Sequence, residues 1–214
     1  MTFGGRRQPV NQVFIGPIHT IHKPDGSLAT QQFFYEQAFI GAVNAPNAQS
    51  FQAALDFEKQ AFQKLSKSNY PELLAKAIRR YGRALDDTDF NAVFLRLWSI
   101  LELLTQTGNA SYDLTIKRCS FIYADRAFYR LLLEHLRSHR NQFVHLGTDS
   151  GQIETLVYQL KRNVEDLLVF HLNSYKWSGS LEEAIRFLDL PSEKSQLTAK
   201  LRELQFAMKF HRYK

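Results

Sequence analysis

The distribution of proline constrains the fold of this chain more than any other sequence feature. Four of the six prolines and five of the ten glycines lie in residues 1–48, whereas residues 72–190 contain no proline. Because proline breaks helices and central strands, a long segment without it favours helices. The chain therefore divides into an N-terminal segment, residues 1–48, and a helical body, residues 49–214.

The N-terminal segment has the pattern of a β-hairpin. VNQVFIGPIHTIH and LATQQFFYEQ are two β-like runs, and KPDGS separates them. Pro24, Asp25 and Gly26 supply the fixed φ, the side-chain acceptor and the positive φ that a turn requires. We interpret the segment as a short hairpin or extended arm, or as the remnant of a preceding domain. His19 and His22 form an H-x-x-H pair, but residues three apart in a strand face opposite ways, so zinc is not expected.

The helical body contains five to seven helical patterns. They cover residues 50–67, 71–85, 88–106, 125–146, 152–175, 181–188 and 192–210. Ser50 is the expected N-cap of the first, and Pro71 opens the second as a first-turn proline. The third is apolar on all sides, so we expect it to be central, and Gly108 is its expected end. The predicted fold class is an all-α bundle with an N-terminal β arm.

Charge and composition narrow the function classes. The chain has 27 Lys and Arg against 21 Asp and Glu, a net charge of +6, which permits nucleic acid as a partner without requiring it. The single cysteine, Cys119, excludes a disulfide framework and a cysteine-based zinc site, and we expect a buried, inert thiol. No window approaches the roughly 18 apolar residues that span a bilayer, and MTFGGRRQPVNQ lacks the apolar region of a signal peptide. We expect a cytoplasmic protein without membrane contact.

The pattern over residues 125–146 carries the candidate chemistry. With Leu132 set at 0° on a helical wheel, an apolar stripe falls within about 40° of it, and a polar face lies between about 140° and 220°. The stripe comprises Phe128, Leu136, Phe143 and Leu146, and the polar face comprises Arg130, Glu134, Arg137, Asn141 and His145. Arg140 lies near 80°, at the edge of the stripe, and its side chain is long enough to swing outward.

The Arg-Asn-x-x-x-His sequence of this helix suits chemistry on a phosphate. The imidazole of His145 can take or give a proton near neutral pH. The guanidinium of Arg140 stays charged and can bind phosphate oxygens bidentately. Asn141 can orient a ring or a ribose hydroxyl. The alternative is a solvated polar face, which is what most charged helix faces are.

Two segments resemble a known family. Arg140-Asn-Gln-Phe-Val-His145, followed by Leu146-Gly147, resembles the R-x4-H signature of the HEPN superfamily, and Trp98-Ser-Ile-Leu-Glu-Leu-Leu104 is similar to the W-x-x-L-E-x-L helix of its Apea-like branch. The amphipathic helix after the motif and the FLDLPS segment fit that branch as well, so the resemblance covers roughly residues 50–210.

The resemblance implies an HEPN-like helical bundle that acts as a homodimer. Many HEPN domains are metal-independent endoribonucleases of toxin–antitoxin, CRISPR and phage-defence systems, in which two R-x4-H motifs meet across the dimer interface in a composite site. The expected partners are RNA, a second copy of the chain, and an antitoxin or regulatory protein, and no cofactor or metal is expected.

The resemblance also implies roles for single residues. The 2′-hydroxyl of RNA would attack the adjacent phosphate, with His145 as general acid or base, Arg140 on the scissile phosphate and Asn141 orienting His145 or a hydroxyl. Arg137 is a candidate second phosphate contact, and Glu102 either pairs with a buried arginine or reaches the site. The alternative is a non-catalytic HEPN module of a larger protein, used for dimerisation or for binding RNA or a nucleotide.

Overall fold

The computed structural model describes residues 18–35, 48–108, 111–146 and 151–211, with the backbone alone for residues 48–50 and 143–146. The described chain forms a two-stranded hairpin followed by eight α-helices, which confirms the predicted all-α class with an N-terminal hairpin. The elements are β1 Ile18–His22, β2 Leu28–Tyr35, α1 Ala48–Lys67, α2 Pro71–Leu85, α3 Phe90–Thr105, α4 Tyr112–Ser120, α5 Arg126–Leu146, α6 Ile153–Asn173, α7 Leu181–Leu188 and α8 Lys194–Phe210, with a 3-10 turn at Ser174–Lys176 after α6.

The hairpin turn uses the chemistry that its sequence predicts. Strands β1 and β2 pair antiparallel, with Ile18 opposite Tyr35. Gly26 adopts a φ of 83°, which glycine tolerates without strain, and its N–H donates to the Lys23 carbonyl at 2.9 Å. The Asp25 carboxylate accepts from the backbone N–H of Ser27 at 2.9 Å. The part of the first β-like run that precedes Ile18 lies outside the described residues.

Helix α3 is the centre of the bundle, as its all-round apolar pattern predicts. It packs against α2, α4, α5 and α6. Its N-cap is Asp89, whose side chain accepts from the Asn91 N–H at 2.9 Å. The expected end at Gly108 is wrong: α3 ends at Thr105, and Gln106 takes the left-handed conformation with a φ of 55°. The Gln106 side-chain amide donates to the Leu103 carbonyl at 2.8 Å, a bond that supports this conformation in a residue other than glycine.

Helix α4 is an element that the sequence patterns do not predict. Ser111 caps it by accepting from the Asp113 N–H at 3.2 Å. The buried side of α4 carries hydroxyl groups as well as apolar ones, which conceals its helical periodicity. The Thr115 hydroxyl bonds that of Thr107 at 2.6 Å, so a side chain that counts as polar in the sequence is paired inside the core.

The free thiol of Cys119 lies on the buried side of α4, as the sequence predicts. Its side chain is 2% exposed, and this burial raises the pKa of the thiol. A buried neutral thiol is a poor nucleophile, so Cys119 belongs to the packing of the bundle.

Helices α6 and α7 close the bundle. The helical spacing predicted for α6 is confirmed, because its apolar positions form a continuous buried face; these are Leu156, Val157, Leu160, Val164, Leu167 and Leu168. After α7, Asp189 receives two hydrogen bonds from Arg118 of α4, at 2.9 and 2.7 Å. This guanidinium holds the pKa of the Asp189 carboxyl below its usual range.

A buried hydrogen-bond chain joins α6 to the start of α2. His171 Nδ1 bonds the Tyr70 hydroxyl at 2.9 Å, that hydroxyl bonds Ser174 Oγ at 2.5 Å, and Ser174 Oγ donates to the His171 carbonyl at 2.8 Å. Each hydroxyl has a single proton, so all three bonds form together only when Nδ1 of His171 carries a proton and donates to Tyr70, as it does in the Nδ1-protonated neutral form of the ring. Burial lowers the pKa of His171 to about 4 and favours this neutral form.

The two terminal helices differ from the central ones. Helix α1 begins at Ala48, two residues before Ser50, so the predicted N-cap at Ser50 is wrong and that residue lies inside the helix. Helix α8 has no buried residue, and Leu201, Leu204 and Met208 on it are all exposed. Within the described part of the chain, no helix is both long enough and apolar enough to cross a membrane.

Candidate functional site

Helices α3, α4 and α5 bring the candidate residues together in one cluster, which we call the Arg140 cluster. It consists of Trp98 and Glu102 of α3, Tyr112 of α4, and Arg140 and Asn141 of α5. The Arg140 guanidinium lies over the Tyr112 ring, 4.7 Å from its centroid. The Tyr112 ring in turn meets Trp98 edge-on, with ring centroids 6.2 Å apart. The cluster thus joins the two segments that carry the family resemblance.

Glu102 is the acidic member of the Arg140 cluster. Its Oε1 accepts a hydrogen bond from the Trp98 indole N–H at 3.0 Å, one turn back on the same helix. Burial raises the pKa of the Glu102 carboxyl, and the Trp98 hydrogen bond and the positive charge of Arg140 act against that rise. Two roles were expected for Glu102, pairing with a buried arginine or reaching the site. Among the described residues Glu102 forms no ion pair, and the arginine whose charge acts on it is the motif arginine, Arg140, so both roles stay predictions.

Arg140 lies at the edge of the core, where the helical wheel places it. Its side chain is half-buried against Tyr112. The buried face of α5 is formed by Leu133, Leu136 and His139, so it is rotated by about 40° from the predicted stripe toward Arg140. Phe128, predicted in the core, is 48% exposed.

Leu133, at about 100° on the same wheel, accounts for this rotation, whereas His139 lies at about −20°, inside the predicted stripe. The wheel treats His139 as polar, yet it is 7% exposed and its ring meets Phe94 of α3 edge-on, with centroids 5.0 Å apart. Burial, together with the charge of His135, lowers the pKa of His139 and keeps the ring neutral inside the bundle. A neutral imidazole packs as an aromatic ring, so it can take a core position.

The polar face of α5 is largely neutralised by carboxylates. Arg137, predicted as a second phosphate contact, forms an ion pair with Asp113 of α4. Arg130 pairs with Glu134 at 3.0 Å, one turn along the same helix. Asn141 Oδ1 accepts a long hydrogen bond, 3.4 Å, from the Arg140 guanidinium. Asn141 therefore touches the motif arginine, whereas Arg137 is bound to a different partner.

The structure describes the backbone alone of the predicted catalytic histidine, His145. The backbone of α5 is helical through Leu146 and includes position 145. The side chain of His145 lies outside the described residues, as do those of Phe143 and Leu146. The partnership of Arg140 with His145, and the composite site across a dimer, stay predictions.

The histidine pair of the hairpin is explained by local structure. His22 Nδ1 bonds the Gly26 carbonyl and its Nε2 bonds the Thr20 hydroxyl, both at 2.9 Å. Both ring nitrogens of His22 thus have partners within the hairpin. Across the described residues, no group of three or more histidine, cysteine or acidic side chains is arranged to hold a metal ion.

Sequence reasoning missed two members of this region, Tyr112 and Asp113. Both belong to α4, and Tyr112 supplies the ring under Arg140. The signal for them was present in Ser111 followed by Asp113, a typical helix start, and in the apolar spacing of Ile116 and Cys119. The helix is nine residues long, and its short pattern gives a weak signal.

Comparison with models of known protein families, with curated proteins and with solved structures finds no match to the chain. The membership in the HEPN superfamily therefore stays a prediction from the residues quoted above.

Proposed function

We propose that the chain is a metal-independent endoribonuclease of a toxin or phage-defence type, with an HEPN-like fold. The observation that carries the proposal is the Arg140 cluster. Trp98 and Glu102 of one resembling segment and Arg140 of the other are far apart in sequence, yet they lie against one another through Tyr112. A polar cluster of this kind between helices is expected where a cation has to be held in a fixed position.

In this proposal Arg140 binds the scissile phosphate and stabilises its developing negative charge. The Tyr112 ring covers one face of the guanidinium, and Asn141 takes one of its N–H groups. Arginine has five N–H donors in a plane, so edges remain to bind phosphate oxygens. A guanidinium already positioned by its neighbours needs little reorganisation when the charge develops, which is how preorganised sites lower a barrier.

The reaction is an internal transfer at phosphorus. The 2′-hydroxyl loses its proton to a base as its oxygen bonds to the adjacent phosphorus, and the bond to the 5′-oxygen breaks as that oxygen takes a proton. The products are a 2′,3′-cyclic phosphate and a 5′-hydroxyl. His145 serves as general acid or base, and a second copy of the chain contributes the opposing motif across α5. DNA lacks the 2′-hydroxyl, so it is not cut.

A second candidate function is a non-catalytic module of a larger protein that dimerises or binds RNA or a nucleotide. The observation that favours it is that the Arg140 guanidinium already has partners within the chain. Tyr112 and Asn141 already contact the guanidinium, and the contact with Tyr112 alone stabilises the packing of α5 on α4. An arginine with this structural role needs no substrate.

Cleavage of a labelled RNA in EDTA separates the two candidates. We expect the wild type to cut, His145→Ala to lose about 10²–10⁴ in rate and Arg140→Ala to lose about 10²–10³. The matched control is Arg186→Ala, which removes an exposed arginine of α7 that pairs with Glu183 at 3.8 Å, and it should cut normally. A substrate with a 2′-deoxyribose at the cut should resist the wild type. RNA that is bound but uncut by the wild type would favour the module.

The structural role of Arg140 requires a further variant. Arg140→Lys keeps the charge but loses the planar donors and the flat contact with Tyr112. If Arg140→Lys melts like the wild type and fails to cut RNA, the planar guanidinium acts in the chemistry. Wild-type cutting by Arg140→Lys would contradict in-plane binding of the phosphate. Activity recovered on mixing Arg140→Ala with His145→Ala would support a site composed from two chains.

A further inference from the structure

Helix α2 presents four cations on one exposed face. They are Lys76, Arg79, Arg80 and Arg83, and we call them the α2 basic stripe. On a helical wheel they fall within an arc of about 100°, and they span about 10 Å along the axis. The opposite face of α2 is buried in the core through Leu74, Ala77, Ala84 and Leu85. The stripe is therefore rigidly fixed by the packing beneath it.

Within the described part of the chain, the α2 basic stripe is not neutralised by carboxylates. Among the described residues, no acidic oxygen lies within 4.0 Å of any of its four cations. Of the acidic residues that follow α2, Asp87 pairs with Arg96 at 2.6 Å and Asp89 caps α3, whereas Asp86 forms no ion pair among the described residues. Within α2 itself, Glu72 is the single acidic residue; it lies four residues before Lys76, and no ion pair joins the two.

Some exposed arginines of other helices are paired with a carboxylate on the same helix. Arg130 of α5 pairs with Glu134, Arg162 of α6 with Glu165, and Arg186 of α7 with Glu183. Each pair is three or four residues apart and supports its helix. In the α2 basic stripe, residues three or four apart carry charges of the same sign, and their repulsion destabilises the helix. A bound anion would remove this repulsion.

We propose that the α2 basic stripe binds the phosphate backbone of RNA and holds the substrate of the ribonuclease proposed above, on which this inference rests. Three of its four residues are arginines, whose planar donors match phosphate oxygens. Helix α2 packs directly on α3, which carries Trp98 and Glu102 of the Arg140 cluster. Helix α3 thus contacts both the helix that carries the stripe and the two helices that carry Tyr112 and Arg140.

The surroundings of the stripe favour RNA over a protein or a membrane. A protein interface is built around a buried apolar centre, and the stripe itself is made of cations alone. A helix that binds a membrane surface inserts its apolar face among the lipids, whereas the apolar face of α2 is buried in the bundle. A row of fixed positive charges without an apolar anchor fits a chain of phosphates.

The test is binding of a fluorescent single-stranded RNA with 2′-O-methyl riboses, which resists cleavage by 2′-hydroxyl attack, measured by anisotropy. The stripe variants are Arg79→Gln/Arg80→Gln and Arg80→Gln/Arg83→Gln. The control, Arg186→Gln/Lys194→Gln, removes two charges from exposed positions on α7 and α8. We expect Kd to rise at least about fivefold in the stripe variants, and the slope of log Kd against log salt to flatten by about 1.4, at roughly 0.7 per phosphate contact. The control should bind like the wild type.

Glutamine forms helices about as well as arginine, and it removes like-charge repulsion, so the stripe variants should melt no lower than the wild type. If the stripe and control variants have the same Kd for RNA, whether unchanged or raised, the proposal that the stripe binds RNA is wrong. If the stripe variants cut and bind RNA as the wild type does, the proposal that the stripe binds RNA is wrong, and the proposed ribonuclease activity is unaffected.

If the stripe variants lose RNA binding and the wild type never cuts RNA, the proposed ribonuclease activity is wrong, and RNA binding by the stripe is supported. Stripe-dependent binding to phosphatidylserine vesicles without binding to RNA would overturn the assignment to RNA.

Discussion

Acid should destabilise the folded chain through His171. This ring is wholly buried, and burial lowers its pKa from the usual 6.5 to about 4. Between these two values the unfolded chain binds a proton that the folded chain does not. The free energy of unfolding is therefore at its highest above about pH 6.5 and falls as the pH drops toward 4.

The size of the effect follows from the shift in pKa. A pKa of about 4 in the folded state against 6.5 in the unfolded state removes about 2.5 kcal/mol between pH 7.5 and 4.5. For a chain of this size that loss lowers Tm by roughly 5–10 °C. His139 acts in the same direction, because its pKa is lowered too. The raised pKa of Glu102 acts in the opposite direction, and the lowered pKa of Asp189 acts at more acidic pH.

Urea unfolding at pH 4.5, 5.5, 6.5 and 7.5, followed by circular dichroism, measures this dependence. His171→Asn removes the imidazole, so it should lower the free energy of unfolding at pH 7.5. Between pH 7.5 and 4.5, the free energy of unfolding of this variant should fall by about 2.5 kcal/mol less than that of the wild type. Tyr70→Phe is the matched control. It removes the hydrogen bond to the ring but leaves the ring buried, and burial is the main cause of the shift, so the pH dependence should persist. Parallel curves for wild type and His171→Asn would refute the argument.

Three further predictions concern other parts of the chain. Because the raised pKa of Glu102 means that the folded chain disfavours its charge, Glu102→Gln, which keeps an acceptor for Trp98, should lower Tm little or not at all and should change the rate or pH profile of RNA cleavage; a large fall in Tm, or unchanged cleavage, would contradict this. Removing the chain after Glu193 deletes no buried side chain of α8 and should shift Tm by less than about 3 °C, whereas a fall of about 10 °C would refute it. Cys119 should resist iodoacetamide until the chain unfolds, and rapid labelling of the native protein would show the prediction to be wrong.

The parts of the fold that local signals determine were predictable from the sequence. Pro71 fixes the start of α2, and that helix and α7 have the predicted bounds. The buried face of α6 follows directly from its apolar spacing. Helix α4 was not predictable in this way, because its buried face includes Thr115, and the pairing of that hydroxyl with Thr107 exists only once the chain has folded.

Of the Arg140 cluster, Glu102, Arg140 and Asn141 were named from the sequence, whereas Tyr112 and the orientation of α5 were not. A helical wheel weights all apolar side chains equally, but the neighbouring helices decide which of them are buried. Phe128 is exposed, and His139 takes a core position against Phe94. This rotation of α5 brings Arg140 to the inner side, where it meets Tyr112. The identity of that partner depends on α4, so it could not be predicted before α4 was known.

The two sets of cations have complementary properties for binding RNA. On α5, Arg130 and Arg137 are paired with carboxylates, so these two arginines of the polar face contribute little free positive charge for binding phosphate. Arg140 is held in one position by its neighbours, which suits a single phosphate at the point of reaction. The α2 basic stripe carries four exposed charges, which suit a backbone bound without regard to sequence. Loss of the stripe should therefore weaken RNA binding and raise KM, and loss of Arg140 should lower kcat, because only the latter contact strengthens in the transition state.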